Sequence, residues 1–289
     1  MPQHGVISAR VAAMVSVVVP VLLLTGCSRG DVAPPPLPDN ITVSFVQLRS
    51  DVASRQAQVE VHNSTDEAIE VGSVTVTDPR FDGAATRVFD RTSKVPADST
   101  VDIRIQLPDM DCDATDGEMT VQLTMIGATD DLREAPLPDE LDVIAPLHER
   151  ECRAEALAKA AEVTIASFTP SPSGSPADLV LEIAPTGDGS ARIVDIQDTN
   201  LLTFAGTQPV GYPIDVTVAL GDTETTSVHL PLVPLRCDPH AVQEDKRGTV
   251  FTFDVEIEGE PGTVEIASSE DMRGEMLTWV ADWCGFGSG

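Results

Sequence analysis

The chain has 289 residues, enough for roughly two domains of about 150 residues each, and carries a formal net charge of -29 from 47 Asp plus Glu against 18 Lys plus Arg. That balance argues against a nucleic-acid partner and against a purely electrostatic hold on anionic lipid, because the basic side chains are too few and too scattered in the sequence to form a phosphate-binding face. It favours solubility and a loose attraction for cations.

Residues 1–26 contain no Asp or Glu, and Arg10 is their single basic side chain. An apolar run, VAAMVSVVVPVLLL, follows and is interrupted by Pro20. At about 14 residues it matches the core of an export signal better than the roughly 20 needed to span a bilayer. It ends in Leu24-Thr25-Gly26-Cys27. A small residue before cysteine at the end of such a run resembles the lipobox of bacterial lipoproteins, where signal peptidase II cuts. The resemblance covers residues 1–27. It implies a signal peptide over 1–26, lipidation of Cys27, and a protein held at the extracytoplasmic face of the cell membrane by its lipid. Several acyl chains, at about 0.8 kcal/mol per buried methylene, make such an anchor stable where one chain is marginal. Residues 27–40, with Pro34, Pro35, Pro36 and Pro38, then read as a lipidated cysteine followed by a semi-rigid stalk, with a simply disordered linker as the equal alternative.

From Ile41 the pattern changes to short alternating segments. ITVSFVQL, AQVEVHN, EVGSVTVTD, TRVFD, VDIRIQL and MTVQLTMI read as strands, and so do VTIASF, DLVLEI, ARIVDI, IDVTVAL, TSVHLPL, VFTFDVEI and TVEIAS in a second series. About seven strands per hundred-odd residues predict an all-β protein of two tandem sandwiches, over 41–158 and 159–289. Their shape resembles generic extracellular immunoglobulin-like modules, a likeness of architecture that carries no function with it.

The two series also match each other. Aligning Cys112 with Cys237 sets Ile103, Ile105 and Leu107 opposite Val228, Leu230 and Leu232, and a second cysteine follows each at Cys152 and Cys284. With Cys27 assigned to lipid, four cysteines remain and allow three connectivities. Duplication selects pairing within each copy, Cys112 with Cys152 and Cys237 with Cys284, in an exported and oxidising setting.

Each copy ends in a less regular tail. In SEDMRGEMLTWVADWC, Ser268 or Ser269 can cap a helix that places Met276, Trp279, Val280 and Trp283 on one face, although strand alternation of Leu277, Trp279, Ala281 and Trp283 competes. The stretch DELDVIAPLHERECRAEALAKAAE is helix-prone too, with Pro146 expected to break it near Ala145. The domain boundary falls in its Ala-rich end, near residues 155–162.

The search for chemistry finds little. Asp109, Asp111 and Asp113 match the first ligand positions of a calcium loop, but Ala114 stands at the turn-glycine position and Thr120 at the bidentate-glutamate position. His240 sits near Asp238, Glu244 and Asp245, where a metal reading competes with a structural one: Asp238 as cap, Pro239 at the first helical position and Gly248 as a stop. There is no G-x-S-x-G, phosphate loop or Cys-x-x-Cys. The expectation is therefore a non-enzymatic envelope lipoprotein without a cofactor. Its partners are the membrane, through lipid, and another envelope protein. The alternative is a capture protein for divalent cations or a small ligand serving a transporter.

Overall fold

The computed structural model describes residues 1, 33–114, 116–127, 130–206 and 211–287; Cys27 and the apolar run lie outside them. The first half contains eight strands: β1 (Ile41–Val46), β2 (Gln56–Asn63), β3 (Ile69–Thr77), β4 (Ala85–Arg87), β5 (Ser93–Val95), β6 (Ser99–Gln106), β7 (Thr120–Ile126) and β8 (Asp131–Pro136). Two helices accompany them, α1 (Arg49–Val52) and α2 (Ile144–Ala160). The second half holds β9 (Ala161–Thr169), β10 (Ala177–Pro185), β11 (Ala191–Ile196), β12 (Leu202–Phe204), β13 (Tyr212–Val218), β14 (Thr226–Pro234), β15 (Val250–Ile257) and β16 (Glu260–Ala267). Its helices are α3 (Pro239–Gln243) and α4 (Glu270–Trp283).

Alternation puts one face of each strand inward. In β2, Ala57, Val59 and Val61 are fully buried, and in β6, Ile103 and Ile105 follow the same rule. The first half runs β1-β2-β6-β4-β3-β7-β8, with β5 also on β3. The three-residue β4 joins the two faces, since Thr86 is registered with Thr75 of β3 and with Gln106 of β6. The second half forms two sheets, β12-β14-β10-β9 and β13-β11-β15-β16.

Strand by strand the halves correspond: the first strand pairs the second, the second the sixth and the sixth the fourth, while the third pairs the fifth and the seventh, and the seventh the eighth. This is an all-β protein of two immunoglobulin-like sandwiches. Each has its own core, one assembled from Ile41 to Leu147 and the other from Leu157 to Val280.

Three strands lie beyond the expected set. β5 and β12 have three residues each, and β8 (DLREAP) has no apolar alternation because it is an edge strand with no buried residue. The proline-rich segment covers that edge. Glu134 N donates to Pro35 O at 3.0 Å, and Pro36 makes a parallel bridge with Glu134. An exposed edge is a template for unwanted pairing, and proline, which lacks an N–H, blocks further addition. The end of the segment read as a stalk is thus docked on the first sandwich.

Helix α2 runs through Pro146 instead of breaking there. It begins at Ile144, so Pro146 occupies its first turn, where no N–H needs an intrahelical acceptor. Asp139 Oδ2 accepts from Val143 N at 2.8 Å and from Ile144 N at 2.9 Å and so replaces a local cap. The tail ending at Cys284 is helical. Ser269 Oγ accepts from Met272 N at 3.2 Å, Glu270 and Asp271 favour the positive end of the helix dipole, and Gly285 (φ 80°) follows the cap. Its inner face buries Met276, Trp279 and Val280, each worth about 1.5–3 kcal/mol. No described helix is long and apolar enough to cross a membrane.

Candidate functional site

Both disulfides join the pairs expected. Cys112 bonds Cys152 and Cys237 bonds Cys284, each with Cα atoms 5.3 Å apart, within the ordinary range. In each sandwich the bond ties the loop after the sixth strand to the helix after the eighth. The first helix does more. Ile144 and Leu147 of α2 enter the first core, Leu157 and Ala160 enter the second, and Ala161 begins β9 without an intervening residue. Thr186 N donates to Ala160 O at 3.0 Å and closes that junction. The two sandwiches are therefore joined by a shared helix.

The acidic loop after β6 is anchored by Met110, which is buried and bridged to Phe81, so that its aspartates face outward. Asp109 is 92% exposed and lies 3.7 Å from Arg55 Nε, while Arg55 also pairs with Glu151 of α2. Asp111 Oδ1 accepts from Asp113 N at 3.0 Å, and Asp111 O accepts from His148 Nε2 at 2.9 Å. Asp111 and Asp113 line a shallow cavity of about 310 Å³ with Asp82 and Glu155, and Lys159 Nζ stands 2.7 Å from Glu155. Among the described residues no three His, Cys, Asp or Glu side chains are grouped to hold a metal ion.

His240 belongs to the second sandwich, on α3, apart from this loop. Asp238 caps that helix, accepting from His240 N at 3.0 Å, and Pro239 opens it as expected. The helix stops at Gln243, short of Gly248. The N–H of Gly248 instead donates to the buried Asp245 carboxylate at 2.8 Å.

Two features were not visible in the sequence. The first is a carboxyl pair. A bulge between Ile193 and Asp195 in β11 places Asp195 directly opposite Asp254 of β15. Burial, a hydrogen bond to Asp254 and the Asp254 charge push the Asp195 carboxyl up to about 6. Gln197 Nε2 donates to Asp254 Oδ1 at 2.8 Å.

The second is an open groove of about 1000 Å³ between α4 and the segment after β9. Phe168 and Trp279 form its apolar floor in edge-to-face contact, with ring centroids 5.4 Å apart. Trp279 Nε1 donates to Ser171 O and Trp283 Nε1 to Ser175 O, both at 3.0 Å, which fixes the loop wall to the helix. Asp271, Glu275 and Asp282 line the rim, and Gly274 and Thr278 lie between them.

No protein-family model matches the chain, and no curated protein matches it. Among solved structures it is similar to the YadV chaperone at 15% identity and a TM-score of 0.23, over 78% of this chain and 100% of that one. It is also similar to the CupB2 chaperone of Pseudomonas aeruginosa, at 10% identity and a TM-score of 0.20, over 75% of this chain and 94% of that one. Red sea bream transglutaminase gives 10% identity and a TM-score of 0.23, over 81% of this chain and 32% of that one. Likenesses this weak transfer no activity and no partner.

Proposed function

We propose that the protein is a non-enzymatic cell-envelope lipoprotein, anchored through Cys27, which docks another envelope protein on its second sandwich. The observation that carries the docking is the groove beside α4. Its floor is aromatic and its rim has three carboxylates, so it suits a partner segment that brings Lys or Arg side chains over an apolar stem. The shared helix α2 supports the same reading, because a partner bound to the second sandwich is then held in register with the first. The anchor rests on the LTGC motif at residues 24–27.

Fractionation of cells expressing Cys27→Ala tests the anchor. The variant is expected to leave the membrane fraction while both disulfides still form. Retention in the membrane fraction at the wild-type level contradicts the anchor.

A further inference from the structure

The arginines that look scattered along the sequence are gathered by the fold at one place in the first sandwich. Arg87 on β4, Arg91 in the turn after it and Arg104 on β6 line one cavity of about 180 Å³, together with Phe89, Gln58 and Asp102. Three arginines and one acidic residue, Asp102, thus line a single cavity in a protein whose formal charge is -29, with Asp51 and Asp90 beside them.

Of the three, Arg104 is ion-paired, with the buried Asp51, while Arg87 and Arg91 are in no ion pair among the described residues. Arg87 donates to Val71 O at 3.2 Å, to Gly72 O and to Ser93 Oγ at 2.5 Å, all uncharged acceptors. These bonds stitch the stretch of β3 between its partners β4 and β5 without an ion pair to Arg87, and Asp90 is the nearby carboxylate whose charge acts on it. Burial, and then the neighbouring Arg91 charge, lower the pKa of Arg87. Arg91 lies over the ring of Phe89, 5.5 Å from its centroid, and that ring is 51% exposed. Arg104 is set 3.7 Å from Asp51, which is 2% exposed and held by Gln58 Nε2 at 2.7 Å and Leu48 N at 3.2 Å. Arg104 is therefore held toward a buried, hydrogen-bonded carboxylate while it lines the cavity.

A second cavity of about 480 Å³ shares Arg87 and Arg91 and is lined also by Thr75, Thr86 and Thr92 and by one carboxylate residue, Asp90. We infer that this pair of cavities binds a phosphate monoester of a polyol, with the phosphoryl group among Arg87, Arg91 and Arg104 and the polyol hydroxyls against the threonines. Guanidinium groups present planar, forked donors that match phosphate oxygens. The overall negative charge does not prevent this. At physiological salt, charges beyond about 8 Å are largely screened, so the local cluster dominates once the ligand is near. The inference stands apart from the docking groove and the lipid anchor, since neither supplies a residue to it.

The test is calorimetric titration of the full chain in a neutral detergent with glycerol 3-phosphate and, in parallel, with short-chain phosphatidic acid against short-chain phosphatidylcholine, so that the lipid anchor does not enter the readout. Arg91→Gln is the diagnostic variant, because Arg91 holds no part of the fold beyond its contact with Phe89. Arg236→Gln, in the other sandwich, is the control, and Arg87 is left in place because it joins strands. The expected result is saturable binding that Arg91→Gln weakens about tenfold and Arg236→Gln leaves unchanged. Binding of glycerol 3-phosphate assigns a soluble ester, and binding of short-chain phosphatidic acid alone, without phosphatidylcholine binding, assigns a lipid headgroup. No saturable binding of either probe overturns the inference, as does equal weakening by both variants.

Discussion

Asp195 on β11 faces Asp254 across the β11–β15 ladder, and the two carboxyls share a hydrogen bond that keeps a proton on Asp195 up to a pH of about 6. A raised folded-state pKa means that the folded chain holds a proton which the unfolded chain releases near the ordinary value of 3.8. The stabilising contribution is fully present below that ordinary value and is lost as pH rises through about 6. Asp195→Asn cannot ionise, so it should be more stable than the wild type at neutral pH by about 1 kcal/mol, after allowance for solvent screening. The gap should close as pH falls toward the ordinary aspartate range. Paired thermal melts across that range check this; a gap that is constant with pH removes the shared proton.

The bulge that creates this pair also shows where sequence reading stops. Strict alternation in ARIVDI puts Asp195 on the same face as the buried Ala191 and Ile193. The extra residue, Val194, turns Asp195 outward and keeps Ile196 in the core. The long alternating strands were legible, as were the disulfide pairs, the cap at Asp238 and a cap at Ser268 or Ser269, of which the structure uses Ser269. The short strands β5 and β12 have too few residues to show a period, and β8 buries none. The arginine cavity depends on the pairing of β4 with β6 and on the turn that carries Arg91, and a register across strands is not written in local pattern. The acidic loop had the reverse outcome: Asp109, Asp111 and Asp113 are adjacent in sequence, but Asp109 turns to Arg55 while the other two line a different cavity.

Helix α2 packs on the second sandwich through Arg153, whose guanidinium lies over Gly262 of β16. A Cβ at position 262 would sit 2.0 Å from Arg153 Cζ. Gly262→Ala should therefore displace that side chain and cost about 1 kcal/mol. In an Arg153→Ala background the same substitution should cost much less. Denaturant titration of the four-member cycle reads this coupling, and strict additivity would remove the packing claim.

The Cys112–Cys152 bond spans 40 residues and pins α2 to the first sandwich. Closing a loop of that length is worth about 4 kcal/mol on the chain-entropy model. Replacing both cysteines by serine should lower unfolding free energy by an amount of that order, measured with urea. A loss under about 1 kcal/mol would show that the helix is held by its core contacts with Ile144 and Leu147 alone.

The docking groove is tested most directly by a photo-crosslinking amino acid placed at Thr278, an exposed residue between Gly274 and Asp282 on the groove wall. In intact cells the Thr278 probe is expected to give a discrete crosslinked protein. That product should disappear when Asp271→Lys and Glu275→Lys reverse the rim charge, and a probe at Asp66 on the first sandwich should not give it. A product that survives the charge reversal, or that forms equally from Asp66, contradicts docking at this groove.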